Sequence, residues 1–268
     1  MKLDILDISK NKIGEIDSPP QFDEEFRPDL IHRAVLAIQS HKRQKYAASK
    51  YAGKRVSAKL SKRRRDYRGS YGLGISRVPR KILSRSGTRM NWVGAFAPGT
   101  VGGRRAHPPK SEKIWWRKIN KKERAKAIRS AIAANMSREI VAQRGHKLPD
   151  NYPFVLDDKF ELIDKTKVMI ETLKKLGLRD ELIRVEGKKI RAGKGKSRGR
   201  KYISKRGPLI IVSNISDTNK TIPNPPGVDV VKVKDLNAEL LAPGARPGRL
   251  TLWTSTSIKT LKEERLFM

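Results

Sequence analysis

The sequence contains no cysteine, which excludes a disulfide scaffold, a thiolate metal site and a cysteine nucleophile. It has no run of 18 apolar residues, so nothing in it is expected to span a membrane. Its start, Met1-Lys2-Leu3-Asp4-Ile5-Leu6-Asp7, lacks the apolar stretch of a signal peptide, and a soluble intracellular protein is expected. Histidines are few and scattered (His32, His41, His107, His146), too far apart for an HExxH zinc site. The scarcest property is negative charge: 27 Asp and Glu stand against 61 Lys and Arg, a net charge of +34 over 268 residues. Such an imbalance destabilises a compact state by self-repulsion unless a polyanion neutralises it. Hydrophobic residues make up 37%, too many for a wholly disordered chain and few for an ordinary globular one.

What is present is unevenly placed. Residues 42–110 carry 20 Lys or Arg and one acid, Asp66; residues 188–206 carry 10 and no acid. Together they hold +29 of the +34, leaving +5 for the other 180 residues. The chain therefore divides into a near-neutral fold, 1–45 with 110–268, and two internal basic stretches, 46–109 and 188–206.

The near-neutral part is patterned. Leu3, Ile5 and Ile8 suggest one or two strands with a turn near Lys10-Asn11-Lys12. Pro28 and Asp29 open a helix whose apolar stripe is Ile31, Ala34, Val35 and Ile38, continuing into Lys42–Lys45. Asn120 and Glu123 have capping-box spacing ahead of Ala125, Ile128, Ala131 and Ile132. Ser137 and Gly145 bracket a short helix. Phe154-Val155-Leu156 suggests a strand, and Val168, Met169, Leu173 and Leu176 a helix closed by Gly177. Leu209-Ile210-Ile211-Val212 has the unbroken apolar character of a strand buried on both faces. Further strands are expected at Val228–Val233 and Leu250–Trp253, with helices at Ala238–Leu241 and Ser257–Leu266. The expected fold class is α/β: a three-layer, open, mostly parallel sheet flanked by helices, with a long irregular basic loop inserted after the first main helix.

Catalytic motifs fail on their spacing. Gly195-Lys196-Ser197 imitates the end of a phosphate loop, but the required earlier glycine is Ile190. Gly72-Leu73-Gly74 lacks the third glycine of a dinucleotide fingerprint. Asp157-Asp158 has the local character of a helix cap or turn, and no Gly-x-Ser-x-Gly elbow exists.

The basic stretches have nucleic-acid chemistry instead. From Tyr46 to Pro109 no period persists, nine glycines and four prolines interrupt the chain, and the apolar residues do not suffice for a core. Such a segment is expected to order only against a partner. Arg55, Lys62, Arg63, Arg64, Arg65, Arg68, Arg104, Arg105 and His107 offer cations to phosphates, and Tyr67 and Tyr71 offer faces to unpaired bases. Trp92, Phe96, Trp115 and Trp116 extend that aromatic supply, the last two being equally placed to pack at the start of the next helix. In the second stretch, glycines separate Lys188, Lys189, Arg191, Lys194, Lys196, Arg198, Arg200 and Lys201, so that the chain can bend along a phosphate ridge. Irregular loops suit a folded RNA better than a regular duplex. An RNA-modifying enzyme with basic loops on an α/β core is the rival reading, and a DNA-compacting protein a third.

Several motifs carry a family resemblance: Val78-Pro79-Arg80, then Gly99-Thr100-Val101-Gly102-Gly103-Arg104-Arg105-Ala106-His107-Pro108-Pro109, then Lys189 to Gly195 and Ser197 to Tyr202, and finally Leu241-Ala242-Pro243-Gly244-Ala245-Arg246-Pro247-Gly248-Arg249-Leu250. In order and in extent they resemble the ribosomal protein four family of the large subunit, archaeal and eukaryotic type. A chain ending at Met268 is similar to the archaeal form, since eukaryotic members carry a long C-terminal extension. The resemblance implies a structural protein without catalysis or cofactor, located in the cytoplasm within the large ribosomal subunit. It implies ribosomal RNA, neighbouring large-subunit proteins and the nascent polypeptide as partners, with no membrane and no homo-oligomer. It also implies that the long loop penetrates the RNA and helps line the peptide exit tunnel. Because the loop's middle is farthest from its anchored ends, Ile75, Arg77, Arg80 and Arg89 are the expected tunnel-wall residues.

Overall fold

A computed structural model describes residues 2–163, 165–214 and 225–268. In chain order its strands are β1 (Lys2–Leu6), β2 (Lys12–Asp17), β3 (Arg80–Ser86), β4 (Arg89–Gly94), β5 (Val155–Leu156), β6 (Lys189–Ile190), β7 (Tyr202–Ile203), β8 (Leu209–Val212), β9 (Asp229–Lys232) and β10 (Thr251–Thr254). Its α-helices are α1 (Pro28–His41), α2 (Lys121–Met136), α3 (Arg138–Gln143), α4 (Thr166–Leu173), α5 (Arg179–Glu186), α6 (Ala238–Leu241) and α7 (Ser255–Glu263). The chain separates into two compact units, 1–42 with 116–268, and 43–115.

The first unit is built on a six-stranded sheet of order β2-β1-β5-β10-β8-β9. Every neighbouring pair is parallel except the edge hairpin β1–β2. Alternation along the strands splits the core into two layers. Leu3, Val155, Leu209, Ile211 and Trp253 pack with Ile31, Ile132 and Ile258 of α1, α2 and α7. Leu6, Leu156, Ile210, Val212 and Leu252 face the other way, onto Val141, Met169, Leu173 and Leu178. All four residues of β8 are buried, as a central parallel strand requires. Helices on both faces of one sheet make the three layers that the patterning predicts.

Local chemistry explains most boundaries, and four expectations need correction. Helix α1 stops at His41 rather than running to Lys45. The Asn120–Glu123 capping box does not form: Asn120 makes no side-chain cap bond, and Glu123 pairs with Arg33 at 2.9 Å. After α4, Gly177 takes φ +92, open to glycine but strained for other residues, and the chain turns straight into α5, a helix the apolar pattern did not disclose. The largest correction concerns 46–109. Residues 80–94 form an antiparallel hairpin within the second unit, joined by Gly87-Thr88 with Gly87 at φ +55. Its period was hidden because Arg80, Lys81, Arg85 and Arg89 occupy both faces, so no apolar alternation survives except Met90 and Trp92, which are half-buried.

Candidate nucleic-acid interface

Unit 43–115 contains 20 Lys or Arg and two acids, Asp66 and Glu112. Neither acid neutralises much of the surface. Asp66 is spent locally: it accepts from Ser61 Oγ at 2.7 Å and from the Tyr67 N–H at 2.8 Å, which hold its carboxyl below the usual range, Ser61 contributing most.

The cations are set against aromatic faces. Arg43 lies 3.9 Å from the centre of the Trp115 ring, Lys113 4.5 Å, and Tyr46 stacks on the same indole at 5.7 Å. Beside this stack Arg105, His107 and Pro109 line a cleft of about 610 Å³. A planar base entering it would meet an aromatic face and cations together. Trp116 is 42% exposed, Trp115 is half-buried, and neither belongs to the hydrophobic core clusters.

A second group surrounds the hairpin. Segment 61–69 is closed by the Ser61–Gly69 bridge and by the Ser61 N–H donating to the Arg68 carbonyl at 3.0 Å. Arg85 on β3 donates to the Tyr67 hydroxyl at 2.8 Å and draws its pKa down. Arg77 sits 4.6 Å from the Tyr71 ring centre and Arg64 6.0 Å. Between segment and hairpin is a cavity of about 610 Å³ lined by Arg65, Tyr67, Arg68, Ile75, Arg89 and Trp92, among others. The structure thus brings Ile75 and Arg89 together. Arg77 and Arg80 stand outside that cavity, with Arg80 donating to the Ser76 carbonyl at 3.1 Å. Arg55, Lys62, Arg63, Arg64, Arg105 and His107 are exposed, and Arg104 is half-buried. Arg104 approaches Gly53, where a Cβ would come within 2.4 Å of the Arg104 backbone nitrogen, so that crossing requires glycine.

In the first unit, stretch 188–206 is a second correction to a plain loop. Its ends pair as a short antiparallel stem, Lys189 with Ile203 and Ile190 with Tyr202. Arg191 is half-buried and its Nε donates to the Arg200 carbonyl at 3.2 Å. Lys188, Lys189, Lys194, Lys196, Arg198, Arg200 and Lys201 are all exposed. Gly193 and Gly199, both at φ +77, let the tip reverse.

The carboxyl ends of β8 and β10, where an α/β sheet takes a cofactor, hold Glu161. It accepts from the Ser213 N–H at 2.9 Å and from Thr254 Oγ1 at 2.6 Å. Asp157 caps the turn that follows β5, accepting from the Asp158 N–H at 2.9 Å. Among the described residues no helix is long and apolar enough to cross a membrane.

Sequence reasoning missed a cluster at the opposite, amino ends of β8, β9 and β10. Arg249 is buried and donates to Asp229 at 2.5 Å, to the Gly207 carbonyl at 2.9 Å and to the Leu240 carbonyl at 3.0 Å. Buried Asn135 on α2 holds the same turn, its Oδ1 accepting from the Gly248 and Arg249 N–H groups at 2.9 Å each. A Cβ at Gly248 would meet the Ile140 carbonyl oxygen at 2.6 Å. The only signal was the motif Leu241–Leu250, which gives no charge run and no period.

Comparison with known proteins agrees with this architecture. "Large ribosomal subunit protein uL4" of Nanoarchaeum equitans is 51% identical over 268 residues, all of both chains. The protein of that name from Methanococcoides burtonii is 47% identical over 96% of each chain, and that from Halobacterium salinarum 40% identical over 98% of this chain and all of its own. The model of the Ribosomal protein L4/L1 family, whose members are structural and non-enzymatic, matches residues 17–264. The parallel α/β core, the two basic segments and these full-length likenesses together show that the chain belongs to the ribosomal protein L4/L1 family.

Proposed function

We propose that the protein is a structural constituent of the large ribosomal subunit that binds ribosomal RNA and forms part of the exit-tunnel wall. One observation carries the RNA reading: unit 43–115 sets 20 cations and two acids around exposed aromatic faces, a composition whose self-repulsion a polyanion removes. The Tyr46–Trp115 cleft and the cations of 61–68 and 188–201 are its RNA contacts. The nascent chain is a partner through Ile75, Arg77, Arg80 and Arg89. The relatives' name, large ribosomal subunit protein, supports residence in the large subunit, and hence in the cytoplasm beside other large-subunit proteins.

Two measurements test this. The protein should co-sediment with large subunits through a high-salt cushion; release at moderate salt would contradict a built-in structural role. A cross-linker placed along a stalled nascent chain should capture residues 72–94. Capture by the α/β unit with none by 72–94 would remove the tunnel assignment.

A further inference from the structure

At the amino ends of β8, β9 and β10 the first unit has a cavity of about 920 Å³. That volume suits a nucleotide-sized ligand. Eight Lys or Arg side chains line it against two carboxylates, Asp229 and Glu239. Both carboxylates are already engaged. Asp229 is shared by Arg249 at 2.5 Å and Arg206 at 3.4 Å, and Glu239 pairs with Lys42 at 2.5 Å. Arg184 is met by Glu181, a buried carboxylate behind the wall, at 2.6 Å.

Arg144 is different. Its guanidinium donates to two backbone carbonyls, Pro247 at 3.2 Å and Pro243 at 2.8 Å, and the charged groups that act on it are Arg249, Arg246 and Arg184. Burial and these like charges push its pKa down to about 10. A half-buried guanidinium held among guanidiniums is an unfavourable arrangement for the free protein. It becomes favourable when an anion enters. Lys205 and Arg206, which follow the stem of the β6–β7 hairpin, and Arg246, next to Arg144, are exposed and line the same cavity. Hydrogen-bonded, buried or half-buried guanidiniums beside exposed cations in one cavity are the parts of a phosphate chelate.

We propose that this cavity is a phosphate site that takes consecutive phosphates of a sharply turned RNA strand, with Arg144 as its half-buried anchor and Lys205, Arg206 and Arg246 as the exposed cations. It rests on the RNA reading above and adds a second RNA contact within the α/β unit. Occupancy also ties the basic hairpin to the sheet, because the hairpin's stem forms one wall.

The test uses the full-length protein with inorganic pyrophosphate as probe and calorimetry as readout. A saturable 1:1 complex is expected. It should weaken about tenfold or more in the double variant Lys205→Ala with Arg246→Ala, both exposed and therefore harmless to folding. The charge-matched control Lys167→Ala with Lys175→Ala, two exposed lysines that do not line the cavity, should leave it unchanged. Equal loss in both variants, or no saturable complex, would overturn the site. For the RNA arm, the Lys205 and Arg246 double variant should lower the slope of log affinity against log salt for large-subunit RNA by about 1.4–1.8. Bound RNA should also exclude pyrophosphate. Pyrophosphate that stays bound beside RNA would overturn the RNA assignment and make the ligand a free phosphate compound. Failure of the protein to bind RNA at all would sink the proposed function, while the pyrophosphate arm would still report on the cavity.

Discussion

The two units solve opposite problems. The α/β unit hides its apolar residues: Ile31, Ile132, Leu209, Ile211 and Trp253 on one side of the sheet, and Leu156, Met169, Leu173, Ile210 and Leu252 on the other, are at most 1% exposed. Unit 43–115 buries almost nothing; Ala95 is its one hydrophobic residue in the fully buried class, while Tyr51, Leu73, Leu83 and Val101 are 59% exposed or more. Burial contributes roughly 25 cal/mol per Å² of apolar surface, so the first unit offsets its ordering entropy from within. A single two-stranded hairpin is marginal in water, and the unit that contains it sets 20 cations against two acids. Apolar burial and uncompensated charge are therefore divided unevenly along the chain, one unit self-supporting and the other dominated by like charge.

The largest break in this comparison comes from paired tryptophans. Trp253→Ala removes a buried side chain packed 5.2 Å from Phe22, and should cost about 3–5 kcal/mol in urea unfolding. Trp92→Ala on the hairpin should cost the global transition less than about 0.5 kcal/mol. Equal losses would mean the units unfold as one.

Charge gives the next effect. Arg198, Arg200 and Lys201 replaced together by Ala should flatten the salt slope of RNA binding by about 2 to 3, without changing the unfolding midpoint. An unchanged slope would place the second basic hairpin outside the interface.

Acid sharpens the comparison, because only the α/β unit buries a titrating network. His146 Nδ1 lies 2.7 Å from Glu181 Oε1, and Arg184 donates to Glu181 at 2.6 Å. Burial holds the His146 pKa down despite Glu181, so the unfolded chain takes up a proton first. Stability from this group is full above the ordinary histidine pKa and is lost as pH falls through the folded value. Burial works against the Glu181 carboxylate, but Arg184, His146 and the Lys147 N–H outweigh it and lower its pKa. Its contribution is present above the ordinary glutamate range and is lost at still lower pH. The urea midpoint should fall from pH 7 to pH 5, and less steeply in His146→Gln. A flat profile would contradict a neutral buried histidine. Deletion of 74–90 should likewise move the unfolding of the α/β unit by less than about 0.5 kcal/mol, since none of its core residues lie there.

The same contrast decides what could be read from the sequence. Leu209–Val212 and the stripe Ile31, Ala34, Val35, Ile38 were legible because burial imposes a period on apolar residues. Charge runs located the basic stretches for a similar reason: repulsion excludes them from a core. The hairpin 80–94 was not legible, since neither face has a core to pattern it; only Gly87-Thr88 marked its turn. Helix α5 was obscured by a charged surface, with Val185 and Leu182 its few inward residues. The meeting of Arg144 with Arg246 and Arg249 escaped because more than 100 residues of chain separate it from them.

Hydrogen exchange on the free protein and on the same protein in assembled large subunits tests the division between a self-supporting unit and a charge-dominated one most directly. The account predicts strong protection of β8, β10, α1 and α2 in both states. For 43–115, including the amides of β3 and β4, it predicts rapid exchange when free and protection only in the subunit. Strong protection of the hairpin in the free protein would contradict it.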